Sequence, residues 1–205
     1  MAIEEKTATK RSLKAMETKK TIFTTALLLF SKYGYEKVTV DDIVCHAGVS
    51  KGAFYHHFPT KEAILVEQFD KIDDAYDDAF AHAAQDMSAQ QQMLLLVNTM
   101  THYCTDICGI EVIRMVYAAQ IAGTRVTPIL NNKNRRIYHY LRQIVSLGTA
   151  NGEFTDQIPE DELVELLMRA CRSLVYDWCL YNGAINLPEE GQKFFRNLLL
   201  WIEPR

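Results

Sequence analysis

Between Val38 and Ile64 the chain signals the start of a helix three times. Each start is a Thr or Ser preceded by Val or Pro and followed, four positions after the hydroxyl residue, by a large apolar side chain. The sets are Val38, Thr39 and Ile43; Val49, Ser50 and Phe54; and Pro59, Thr60 and Ile64. An N-cap hydroxyl accepts a hydrogen bond from an amide of the first turn, and the flanking apolar pair closes over it as a staple. Three fixed entry angles in about two dozen residues leave room only for short helices joined by tight turns.

The segments around these starts agree. Ile22, Ala26, Leu29 and Phe30 recur at helical spacing, so a first helix is predicted over residues 18–33, ending at Gly34. Asp41 and Asp42 follow the Thr39 cap at the positive end of the next helix dipole. Between the second and third helices lies "HAGVS", with Gly48 where a positive φ is needed. Two short helices across a glycine turn, inside a three-helix head, are the pattern of a helix-turn-helix, whose second helix enters the DNA major groove.

The face that helix would offer follows from its spacing. Phe54 and Phe58 lie four apart and turn inward with Val49, Ile43 and Phe30, which puts Lys51, Gly52, Tyr55 and His56 on the opposite side and Ala53 and His57 at its margins. Lys51 can reach a phosphate or a guanine edge, Tyr55 and His56 can contact the sugar-phosphate backbone, and Gly52 lets the main chain come close. Helix N-termini at residues 39, 50 and 60 suit phosphates, and Lys61 adds a cation. The adjacent histidines of "GVSKGAFYHHF" point about 100° apart on a helix and do not share one ion.

Charge is distributed in the same sense. Residues 1–61 carry ten Lys and Arg against six Asp and Glu, whereas residues 62–205 carry twelve against twenty. A basic head on an acidic body suits a head that meets a polyanion. Five cysteines without framework spacing read as free thiols of a reducing compartment. The apolar run Ala26 to Phe30 is far too short to cross a bilayer, and the basic segment before it leads to no cleavage site. The expected location is cytoplasmic, on the nucleoid when DNA is bound.

The run from Thr21 to Phe69, and within it "LFSKYGYEKVTVDDI" and "GVSKGAFYHHFPTKEAIL", closely resembles the DNA-binding domain of the tetracycline-repressor (TetR) family of bacterial transcriptional regulators. The resemblance covers about a quarter of the chain. It implies an all-α protein of about nine helices: a flexible basic arm at 1–17, a helix-turn-helix domain at 18–62, and a helical effector-binding and dimerisation domain at 63–205. It implies that Lys51, Gly52, Ala53 and Tyr55 face the groove, with Thr39, Ser50, His56, His57 and Lys61 as backbone contacts. Ala53 stands where many members have Ser or Thr, which exchanges a polar contact for a methyl group able to meet thymine.

Helices beyond the head are predicted near 60–84, 88–106, 109–121, 127–150, 160–182 and 188–202. The first of these sets Leu65, Phe69, Ile72, Tyr76 and Phe80 against an acidic face of Asp73, Asp74, Asp77 and Asp78, and belongs to head and body alike. The last two carry more large apolar side chains than one buried stripe uses, which marks either a partner interface or a well-filled core; the family resemblance implies that these helices pair in a homodimer that reads a palindromic operator on double-stranded DNA. A small hydrophobic or aromatic effector is expected among Met100, Tyr103, Cys104, Ile107, Met115, Tyr117, Tyr138, Cys171 and Trp178, with Arg114 available to an anionic group. The expected function is a ligand-responsive DNA-binding repressor released by that effector. Two alternatives stand beside it: a redox or metal sensor using Cys104 and Cys108, and a helical adaptor that binds no DNA. No cofactor, membrane partner, resident metal or catalytic residue is called for, since phosphate loops, dinucleotide fingerprints, nucleophile elbows and HExxH helices are absent from the sequence.

Overall fold

A computed structural model describes residues 10–121 and 129–204. Among them the regular structure is helical: α1 (Lys10–Tyr33), α2 (Val40–Ala47), α3 (Lys51–His57), α4 (Glu62–Ala81), α5 (Ala89–His102), α6 (Ile110–Ile121), α7 (Arg136–Ala150), α8 (Glu160–Leu180) and α9 (Leu187–Trp201). A single 3₁₀ turn, Tyr35–Lys37, precedes α2, and a π-helical turn, Tyr103–Cys108, follows α5. The chain divides into two compact units at Val66 and Glu67, a boundary that falls inside α4.

Two expectations are corrected here. Residues 10–17 belong to α1 rather than to an arm. The stretch is rich in Leu, Lys, Ala, Met and Glu and holds no Gly or Pro, so nothing interrupts propagation of the helix behind it. The rest of the predicted arm, residues 1–9, lies outside the described residues. Helix α7 starts at Arg136, not at 127, and residues 129–135 are turns. Asn131, Asn132 and Asn134 explain the difference, because short amide side chains compete with helical hydrogen bonds; the Asn134 amide donates to the Asn132 side-chain oxygen at 3.0 Å. Residues 127 and 128 of that prediction lie outside the described residues.

The caps at Thr39 and Ser50 form as the spacing requires, whereas α4 starts at Glu62, two residues after Thr60. Thr39 and Asp42 make a reciprocal capping box on α2, and the Ser50 hydroxyl accepts from the Ala53 amide at 3.1 Å. Asp42 accepts from both the amide and the hydroxyl of Thr39, which holds its carboxyl below the ordinary aspartate range. At Thr60 the hydroxyl accepts from the Ala63 amide at 3.3 Å. Gly48 ends α2 at φ 65° and ψ 33°, the left-handed region that disfavours a side chain. Within this unit α1 packs on α2 and α3 around Ile22, Ala26, Phe30, Ile43, Phe54 and Phe58, none more than 1% exposed.

In the second unit α5 lies between α7 and α9, and α8 packs on α6, α7 and α9. Met93, Leu96, Val97, Leu141, Ile144, Leu167 and Phe195 are fully buried there. The α7–α8 connection is fixed by Phe154, whose ring lies against Gly148 of α7. Beside it, Glu153 accepts the amides of Ala89 and Gln90 at 3.0 and 3.1 Å, a carboxylate placed at the positive end of α5.

Candidate functional site

Helix α3 is positioned by its inward side. Phe54 and Phe58 anchor it, and Phe23 stacks on Phe58 with ring centroids 6.4 Å apart. The opposite side is left to solvent: Lys51, Gly52, Tyr55 and His56 are exposed, Tyr55 to 53%, while Ala53 and His57 are half-buried. This is the division the period of the sequence predicts. A Cβ added at Gly52 would meet only the Ser50 hydroxyl at 3.8 Å, so packing within the chain does not demand a glycine there.

Two cations of this unit are placed in ways the spacing does not reveal. Lys51 bridges to Asp41 of α2 at 2.7 Å, and that carboxylate raises the pKa of the ammonium. Lys61 points inward. Its ammonium donates to the carbonyls of Tyr35 and Val38 at 2.8 and 2.9 Å and sits 4.0 Å above the Tyr35 ring centroid, with burial lowering its pKa. Its first task is therefore to fasten the 3₁₀ turn ahead of α2.

The second unit contains a void of about 40 Å³ among α4, α6, α7 and α8. Met100, Cys104, Tyr117 and Cys171 line it as expected, together with Phe69, Ile72 and Tyr76 from the α4 stripe and Ile113, Ile137, Met168 and Val175. The other expected lining residues are elsewhere. Ile107 is 63% exposed on the π turn, and Met115 is buried in the core away from the void. Tyr103 is buried with its hydroxyl 3.4 Å from the Gln68 carbonyl, and Trp178 is buried beside Gly183. Tyr138 stands behind the wall, accepting from Arg172 at 3.2 Å. Arg114 pairs with Glu111 at 3.2 Å and donates to the Cys179 carbonyl and Asn182, so it is not the cation of this void.

The cations that do line the void are Arg135 and Arg172. Arg135 reaches Asp73 at 2.7 Å, with both side chains 11% exposed. The acidic face of α4 is thus only partly solvated: Asp73 is buried, and Asp77 pairs with Arg136 and accepts from Tyr140 at 2.9 Å. Arg172 donates to the Leu130 carbonyl at 3.1 Å and to the Tyr138 hydroxyl. Arg172 sits at every-third-or-fourth spacing with Met168 and Val175, a signal readable in the sequence; Arg135 precedes its helix and had none.

The sulfur chemistry of the alternatives finds little support. Cys104 is buried, and burial pushes its thiol well up. Cys108 is pushed up to about 11 by burial, and Gln68 donates to its sulfur at 3.3 Å. Sensor thiols need thiolate character and access; both thiols are pushed away from the thiolate, and Cys104 is also buried. Among the described residues no three His, Cys, Asp or Glu side chains lie close enough to hold a metal ion, and no helix is long and apolar enough to cross a membrane.

A helix-turn-helix with a solvent-facing second helix, carried on an all-helical body, defines a class of bacterial regulators, and the comparisons with known proteins point to one family within it. The model described as "Bacterial regulatory proteins, tetR family" matches residues 22–67. The chain is 46% identical over 50 residues to the uncharacterised HTH-type transcriptional regulator YerO of Bacillus subtilis, an alignment covering 24% of this chain and 17% of that protein. Over a longer span it is 24% identical to the HTH-type transcriptional repressor KstR2 of Rhodococcus jostii, with 85% of each chain covered. The fold of the fatty acid degradation regulator FadR from Bacillus halodurans is similar at a TM-score of 0.72 and 17% identity, covering 89% of this chain and 94% of that one. The similarity to the tetR family of bacterial regulatory proteins thus rests on residues 22–67, the helix-turn-helix unit. The chain's alignments span 17%, 33% and 21% of the first three curated relatives that it matches.

Proposed function

We propose that this protein is a one-component transcriptional regulator: a homodimer that binds a palindromic operator through α3, blocks transcription, and releases DNA when a small molecule enters the α4–α8 void. The observation that carries the reading is the two-sidedness of α3, whose buried phenylalanines commit one side to the core and leave Lys51, Gly52 and Tyr55 to solvent. Thr39, Ser50, Ala53, His56 and His57 complete the contact surface. Lys61 takes a positioning role in place of a primary phosphate contact, because its ammonium already serves two carbonyls.

Dimerisation through α8 and α9 accounts for large apolar side chains that a monomer leaves in water. Leu180, Tyr181, Leu200 and Trp201 are each more than 60% exposed. Leu166, Tyr176 and Phe194 add to the same helices. Apolar area of this kind on a soluble protein marks a partner surface. Acting on the chromosome, the dimer works in the cytoplasm, and the chemistry is binding rather than catalysis.

The test is a pair of variants, Lys51→Ala and Tyr55→Ala, measured against an operator selected from random duplexes with the unaltered protein. Operator affinity falls while the dimer and the thermal melt stay unchanged. Affinity also falls steeply with added salt, because Lys contacts release counterions from the duplex. Unchanged affinity in both variants refutes the assigned face.

A further inference from the structure

The effector void carries a charge arrangement that selects a ligand class. Its walls are apolar, yet two guanidinium groups reach it. They are not equivalent. Arg135 is neutralised by the buried carboxylate of Asp73, with a second contact from its Nε at 3.3 Å. Among the described residues the hydrogen bonds of Arg172 go to neutral acceptors, the Leu130 carbonyl and the Tyr138 hydroxyl, and both engage the same nitrogen, Nη1. Glu165, which feels the Arg172 charge, is held instead by Lys133 at 2.6 Å. One positive charge therefore remains at the wall of an apolar void, with the Nε and Nη2 side of its planar fork uncommitted.

From this we infer that the effector is an apolar monocarboxylate: its carboxylate pairs side-on with the Nε and Nη2 edge of Arg172, and its hydrocarbon lies along Ile72, Ile113, Met168 and Val175. A fork of two parallel N–H donors matches the two oxygens of a carboxylate, and the match is strongest where water is excluded. A cationic or neutral ligand would leave the guanidinium uncompensated against apolar walls. The void of about 40 Å³ accommodates only a few water-sized groups. Binding a chain of several carbons thus separates the α8 wall from the part of α4 beyond Val66 that belongs to this unit.

The inference rests on the effector reading above, and the experiment separates the two. The full chain is titrated with the sodium salts of the straight-chain acids from butyrate to decanoate and with the matching amides, following binding by calorimetry and operator release by fluorescence anisotropy. At least one acid binds roughly tenfold or more tightly than its amide, as expected for a charge-assisted pair over a neutral one. Arg172→Met erases that acid-over-amide preference, and Arg172→Lys keeps part of it, while both variants retain operator binding. Equal affinity of every acid and its amide for the unaltered protein overturns the inference, and this arm needs no variant to fold. Acid preference in a chain that binds no operator leaves the site standing and refutes the regulator reading. Operator binding without acid preference does the reverse.

Discussion

Gly52→Ala separates folding from DNA contact with one methyl group. Gly52 is the second residue of α3, exposed, and at a backbone conformation open to any residue, since no positive φ is found there. The added Cβ has the Ser50 hydroxyl as its nearest neighbour at 3.8 Å, an ordinary contact. Glycine in a helix costs about 0.5–1 kcal/mol relative to alanine, so the substitution stabilises the isolated protein by about that amount. For a chain of this size that raises the melting temperature by about 1–4 °C. In the complex the methyl stands between the α3 backbone and the groove. Losing one good contact there, about 1–3 kcal/mol, lowers operator affinity by about fivefold or more. Differential scanning fluorimetry reads the first quantity and anisotropy on a labelled operator the second. Opposite signs are the expected outcome. A stabilised protein whose operator affinity is unchanged or improved would show that this part of α3 does not approach DNA.

Two further substitutions or treatments test the body. Gly148→Ala would place its Cβ 2.2 Å from a ring carbon of Phe154, which is 1% exposed and has nowhere to retreat. Overpacking outweighs the helix-propensity gain, so stability falls by about 1–3 kcal/mol and the melting temperature by roughly 2–10 °C. Adding Phe154→Leu restores part of that loss, and full additivity of the two changes would contradict the assigned contact. Thiol accessibility addresses the sensor alternative. At pH 7.5 Ellman's reagent titrates the exposed Cys45 at once, the half-buried Cys108, pushed up by burial, reacts slowly, and the buried Cys104, Cys171 and Cys179 react only after unfolding. Rapid modification of a second thiol, with loss of operator binding on peroxide treatment, would restore the redox reading.

The sequence made the head legible because its information there is local. Caps, staples and the period of Phe54 and Phe58 act within one or two turns, so residue order alone determines where α2 and α3 begin and which side of α3 is buried. The same holds for helix type along most of the chain, apart from the asparagine-rich start of α7 and the backward extension of α1, where weak local signals decide.

The void proposed for the effector is not local in the chain, and the sequence showed only part of its lining. Met100, Cys104, Tyr117 and Cys171 were found because apolar stripes are periodic, but a stripe does not say which of its members line a gap and which fill the core, as Met115 and Trp178 do. The arginines make the contrast sharper. Arg114 sits in α6 with the right chemistry, yet Glu111 and the end of α8 hold it; Arg135 and Arg172 reach the void instead. A side chain's charge is written in the sequence, but whether that charge is neutralised depends on carboxylates 62 residues away in the chain, as Asp73 is from Arg135. Residue order determined the two-sidedness of α3, with Phe54 inward and Lys51 and Tyr55 in solvent. Tertiary packing alone decided which arginines reach the void and that Asp73 pairs with Arg135 there, because ion pairing depends on distance in space and helical periodicity carries no information about it.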